Sequence, residues 1–129
     1  MRVTEALLPD STIDDIVETI GYGIAYWAKS APDDLKAKAF ETPGAVSVFM
    51  EDEGVGDTDD PIILTYEGIR EAFGKLLAID QPYVNREIHG YFIDSFRERD
   101  DNGIDAGFID ADAGDVLAQV AAFGKVVYG

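Results

Sequence analysis

The first apolar rhythm in the chain is helical. Ile13, Ile16, Val17 and Ile20 recur at spacings of three and four, with Asp14, Asp15 and Glu18 on the opposite face, which predicts one amphipathic helix. Ser11, Thr12, Ile13 and Asp14 open it as a capping box that uses the shorter acid. Gly21 and Gly23 close it, since each glycine weakens a helix by about 1 kcal/mol and accepts the positive φ that ends one. Residues 24–28 are apolar or aromatic on both parities and read as a strand, or a last helical stretch, covered on two sides.

Residues 29–43 mix Pro32, Pro43, Asp33, Asp34, Lys36 and Lys38 and read as a connection with one helical turn. Residues 45–50 and 62–66 are β-branched and apolar and predict two strands. Between them, residues 51–60 hold six acids and two glycines, a segment that must be a solvated hairpin loop. Thr65 then caps a helix over 67–79, where Ile69, Ala72, Phe73, Leu76 and Leu77 form the stripe. Pro82 suits the first position of a helix reaching Arg99, with Val84, Ile88, Tyr91, Phe92 and Phe96 inward. After the stop at residues 100–103, Asp110 or Asp112 caps a last helix bearing Val116, Leu117, Val120, Ala121 and Phe123. The closing Val126, Val127 and Tyr128 are too apolar for a loose tail.

This order predicts a single α+β domain over residues 1–129: an N-terminal helix, a small three-stranded antiparallel meander, and three helices packed on one face. An open sheet edge or second face could pair two copies, so a homodimer is an available assembly. The first nine residues carry only the short apolar group Ala6, Leu7 and Leu8, far below a signal-peptide core or a membrane span, so the reading is a cytoplasmic protein without membrane contact.

Charge narrows the function classes. The 26 Asp and Glu against 10 Lys and Arg leave a net charge of −16, which sets direct nucleic-acid binding aside. With no Cys and one His, disulfide, thiolate and most zinc chemistry fall away. The acids around Asp110, with Asp105, Asp112 and Asp115, miss the calcium-loop spacing, because Gly114 falls where a ligand is needed. They read as a cap at Asp110 or Asp112, with Asp115 complementing the helix dipole. No cofactor or metal is expected, and a metal-dependent hydrolase built on these acids ranks last. His89 has Glu87 and Asp94 as partners that could orient it as a base, but no nucleophile accompanies it. The expectation is a protein that is not an enzyme.

Three readings of the acidity remain: solubility first, imitation of a polyanion second, adaptation to high salt third. In the second, Glu51, Asp52, Glu53, Asp57, Asp59 and Asp60, and the acids between Asp94 and Asp115, stand in for phosphates, with Tyr26 and Trp27 as aromatic contacts. Tyr83, Arg86, His89 and Tyr91 form the compact alternative, a pocket that would sequester a small nucleotide signal by stacking and cation contact.

Residues 21–28 (GYGIAYWA), 109–119 (IDADAGDVLAQ) and 123–129 (FGKVVYG) resemble a family of small acidic proteins encoded by actinobacterial phages, and residues 62–77, a strand entering a helix, are similar in kind. The resemblance implies a setting and no catalytic residue: an accessory protein in the host cytoplasm that binds and modulates or inhibits a host protein, for host takeover or counter-defence.

Overall fold

The computed structural model describes residues 3–52 and 60–129. Its elements run α1 (Val3–Leu7), α2 (Asp10–Gly23), β1 (Ala28–Ser30), α3 (Asp33–Ala39), β2 (Ala45–Glu51), β3 (Ile62–Thr65), α4 (Tyr66–Leu77), α5 (Arg86–Arg97), a 3-10 turn (Ala106–Phe108) and α6 (Ala111–Phe123). The α+β architecture is the expected one, with an antiparallel sheet ordered β1-β2-β3. Ala28 faces Glu51 across the first pair, and Phe49 faces Ile62 across the second.

Helix α6 lies at the centre. Ala113, Gly114, Leu117, Ala118 and Val120 are all buried, as required of a helix enclosed on most sides, and α2 and α4 pack along it. Asp110 caps it, its Oδ1 accepting from the Ala113 N–H at 2.8 Å, and Gly124 ends it at φ 75°. In α2, Ile13, Ile16 and Ile20 are buried while Asp14, Asp15 and Glu18 are exposed, so the predicted face is the observed one. The capping box is not formed. The helix starts at Asp10 behind Pro9, whose carbonyl accepts from Thr12 and Ile13.

The expected positive φ at the end of α2 is not found, and Gly23 serves another purpose. Neither Gly21 nor Gly23 has a positive φ; instead a Cβ on Gly23 would sit 2.1 Å from the Ala111 carbonyl oxygen. Absence of a side chain there lets α2 and α6 touch backbone to backbone. Residues 24–27 are tight turns leading into the short β1.

The connection after β1 is a full helix, α3, rather than a single turn. It lies on the sheet face away from α6, where Ala31, Ala39, Val48 and Met50 make a second small core. Helices therefore cover both faces, the second one only in part. Val46 and Phe49 both pack toward the main core despite opposite parity, because the β2–β3 register slips between Ala45 and Ser47.

Helix α4 is capped by Thr65 as expected, with Gly68 N–H donating to Oγ1 at 2.9 Å, but it ends at Leu77. Helix α5 begins after Asn85, whose Oδ1 accepts from the Ile88 N–H, and not at Pro82. Gln81 explains the delay: its Oε1 accepts from the Tyr83 and Val84 N–H groups, and its Nε2 donates to the Val84 carbonyl. That satisfies the backbone polar groups without helix.

Candidate functional site

The loop following α5 is shaped by two contacts. Gly103, at φ 103°, brings the chain so close to α1 that a Cβ would lie 2.4 Å from the Leu7 carbonyl oxygen, and Ile104 N–H donates to that carbonyl at 2.9 Å. Asp105 N–H donates to the Ser95 carbonyl at 3.0 Å. The loop is thereby held against the first turns of α2, and a groove of about 360 Å³ opens between them. Asp15, Glu98, Asp100 and Asp105 line it, together with Thr12 and Asn102.

Four carboxylates from three parts of the chain thus share one concavity. Asp100 Oδ1 accepts from Asn102 N–H and Asp105 Oδ1 from Gly107 N–H, which fixes those two side chains without neutralising them. Among the described residues, none of the four is in an ion pair. The acids on the neighbouring face of α2 are treated otherwise: Arg70 binds Asp10 at 2.6 Å, and the Tyr66 hydroxyl donates to Asp14 at 2.7 Å, which pushes the Tyr66 pKa up. Among the described residues no cation pairs with the acids of the groove, so their charges add to a local negative potential. Among the described residues no group of His, Asp or Glu side chains is arranged to hold a metal ion. The chemistry on offer is the reception of cations by hydrogen bond and ion pair.

A second acidic region surrounds the start of α6. Tyr91 has its pKa raised by the charge of Glu87 first, with Asp110 and Asp112 adding to it. Tyr26 also feels Asp112. Asp112 is thus the acid whose charge reaches both tyrosines.

Asp115 takes no part in either region. The dipole role expected of it is replaced by an inward one: it is buried, and its carboxylate accepts from Trp27 Nε1 at 2.8 Å, Gln119 Nε2 at 2.9 Å and the Tyr26 hydroxyl at 2.7 Å. Burial and the Asp115 carboxylate push the Tyr26 pKa up to about 12. Gln119 Oε1 accepts from the Val127 and Tyr128 N–H groups, and Tyr128 stacks on Trp27 with centroids 5.0 Å apart. Phe49 and Phe123 close the aromatic box, and the Tyr128 hydroxyl donates to Glu51. The C-terminal segment is strapped down, as its apolar character predicts. A readable signal lay in α6 itself, where Asp115 and Gln119 are polar residues one turn apart in a helix otherwise apolar from Ala113 onward.

Several expected contact residues move accordingly. Trp27 is 0% exposed, so its ring is core and cannot meet a partner. Tyr26 is 54% exposed, though its hydroxyl is committed to Asp115. Glu51 is half-buried under Tyr128, Asp52 and Asp60 are exposed, and Glu53, Asp57 and Asp59 lie outside the described residues.

The four residues of the nucleotide alternative do not share one face. His89 and Tyr91 are two positions apart on α5, hence about 160° apart around its axis. Tyr91 sits among acids, Arg86 is exposed, and Tyr83 packs against the core. His89 Nε2 is buried without a hydrogen-bond partner, while Asp94 is turned to Arg97 at 3.7 Å. Among the described residues no carboxylate orients the imidazole as a base.

Compared with family models, curated proteins and solved structures, the chain finds no match.

Proposed function

We propose that the protein is a non-enzymatic binding protein that offers its acidic groove to lysine and arginine side chains of a partner protein, imitating a polyanion. The observation that carries this reading is the convergence of Asp15, Glu98, Asp100 and Asp105 on one groove without a cation among the described residues to balance them. Acids present for solubility alone need not converge. The acids beside Tyr26 and Tyr91 extend the same surface chemistry, because tyrosine faces add cation–π attraction for the same basic groups. The resemblance to phage proteins supplies the setting: the partner is a host protein in the host cytoplasm, normally engaged with nucleic acid, and binding inhibits it.

An immobilised chain exposed to actinobacterial lysate is expected to retain basic proteins that leave as salt is raised, since screening weakens such contacts. The double variant Asp15→Lys, Glu98→Lys alters two exposed side chains and is expected to retain them at least tenfold less well with its circular dichroism unchanged. Equal retention by both forms removes the groove from the interaction. Recovery of no partner at low or moderate salt overturns the reading as a whole.

A further inference from the structure

At the end of α5 the chain sorts its charges. Glu98 and Asp100 turn into the acidic groove, whereas Arg97 and Arg99 turn the other way, into a second groove of about 370 Å³. Leu77, Ile79, Ile93 and Phe96 form the rest of its wall. Helix α4 stops at Leu77, and Ile79, just beyond it, is 93% exposed. A β-branched aliphatic side chain held fully in water beside three further apolar residues is the composition of a contact surface. Arg99 is pinned in place, its guanidinium 4.1 Å from the Phe96 ring centre and one N–H donated to the Phe96 carbonyl. Among the described residues Arg97 pairs with Asp94 alone, at 3.7 Å and in solvent, a contact too weak to hold it.

We propose that this groove docks an acidic amphipathic segment of a partner protein. The partner's aliphatic or aromatic side chains rest on Ile79, Ile93 and Phe96, and its carboxylates engage Arg97 and Arg99. Charge complementarity selects this occupant. In a chain of net charge −16, an apolar groove edged by two arginines is the local exception, and arginine forks match carboxylates in a bidentate way that lysine cannot. A second copy is disfavoured by the repulsion between two such chains, and a basic segment by the arginines themselves. This surface is separate from the acidic groove, so each can fail alone.

The test is a surface-displayed random peptide library selected on the wild-type chain and counter-selected on Ile79→Ser and on Arg97→Glu, Arg99→Glu. All three positions are exposed, so the variants keep the fold, which circular dichroism checks. Enriched peptides are expected to pair Leu, Ile or Phe with flanking Asp or Glu, and a fluorescent copy of one is expected to bind each variant at least tenfold more weakly than the wild type. Enrichment of basic peptides, no enrichment over the variants, or unchanged affinity overturns the proposal. Sedimentation equilibrium showing a dimer that Ile79→Ser dissolves overturns it as well, by assigning the groove to a second copy.

Discussion

Asp115 and the four carboxylates of the acidic groove are the same functional group in opposite circumstances. Asp115 is enclosed, and three donors converge on it, two from the adjacent Tyr26 and Trp27 and one from Gln119 a turn along its own helix. Asp15, Glu98, Asp100 and Asp105 stand in water, where two of them accept only from their own loop and none is paired with a cation among the described residues. The difference separates two uses of negative charge. Inside, a carboxylate is tolerated only as the hub of a satisfied network, and it then specifies one arrangement of the elements around it. Outside, a carboxylate contributes little to folding and is free to act on another molecule.

The largest effect is therefore expected at the hub. Asp115→Ala leaves the indole N–H of Trp27 buried without its acceptor and should cost about 3 kcal/mol, the scale of a charged hydrogen bond lost together with an orphaned donor. Urea unfolding followed by Trp27 fluorescence measures it. Asp115→Asn should lose less, because its carbonyl can still accept from Trp27. A cost below about 0.5 kcal/mol for the alanine variant, the range of ordinary surface substitutions, would erase the distinction between the two kinds of carboxylate.

Close behind comes Gly23→Ala. The added methyl must displace the Ala111 carbonyl and crowd the Asp115 N–H, and so push α2 from α6 at the turn that carries the hub. Overpacking of this kind should cost about 2 kcal/mol, even though alanine is the better helix former by about 1 kcal/mol. A more stable variant would show that the helices are not in backbone contact.

Alkaline pH probes the same hub through Tyr26. Its hydroxyl titrates near 12 in the fold against 10.0 for an ordinary tyrosine, so the fold favours the protonated form. Below pH 10 that stability is fully present. Between 10 and 12 the unfolded chain gives up the proton while the folded chain keeps it, and stability falls with rising pH. Denaturant unfolding across this window should show a steeper decline for the wild type than for Tyr26→Phe. Superposable curves would mean that the Tyr26–Asp115 bond is not maintained in solution.

What could be read in advance divides along a similar line. Thr65 and Asp110 as caps, the stripes of α2 and α4, and the three-stranded meander all follow from neighbours a few residues apart, and all are present. The local sequence of α3 supports no more than a turn, because Leu35 is its one large apolar residue, so its helix depends on the sheet face it covers. Pro82 yielded to Asn85 because Gln81, a side chain with no helical signature, satisfies the intervening backbone. Glu98, Asp100 and Asp105 belong to the acidic stretch from Asp94 to Asp115 that the sequence marks out, but the hub and the part of Asp15 in the groove escape local reading for a stronger reason. Trp27 and Asp115 are 88 residues apart, and Asp15 reaches the groove from the other end of the chain from Asp105. No local pattern encodes either meeting. The glycines that allow both, Gly23 and Gly103, look like ordinary helix stops and turns.

The groove side of the comparison predicts the smallest change in stability and a measurable change in binding. Asp15→Asn combined with Glu98→Gln removes two exposed charges and should leave the unfolding free energy within about 0.5 kcal/mol of the wild type, or raise it slightly, since self-repulsion in a chain of −16 is relieved. A labelled oligoarginine peptide should meanwhile bind about two- to fivefold more weakly for each charge removed, the equivalent of an exposed ion pair of up to about 1 kcal/mol, and the difference should fade as salt rises. Asp115→Asn should do the reverse, costing stability while leaving the peptide's affinity unchanged in whatever fraction stays folded. If both variants altered both quantities alike, the inner and outer carboxylates would belong to a single electrostatic system, and the groove could no longer be assigned to partners on the strength of its exposure.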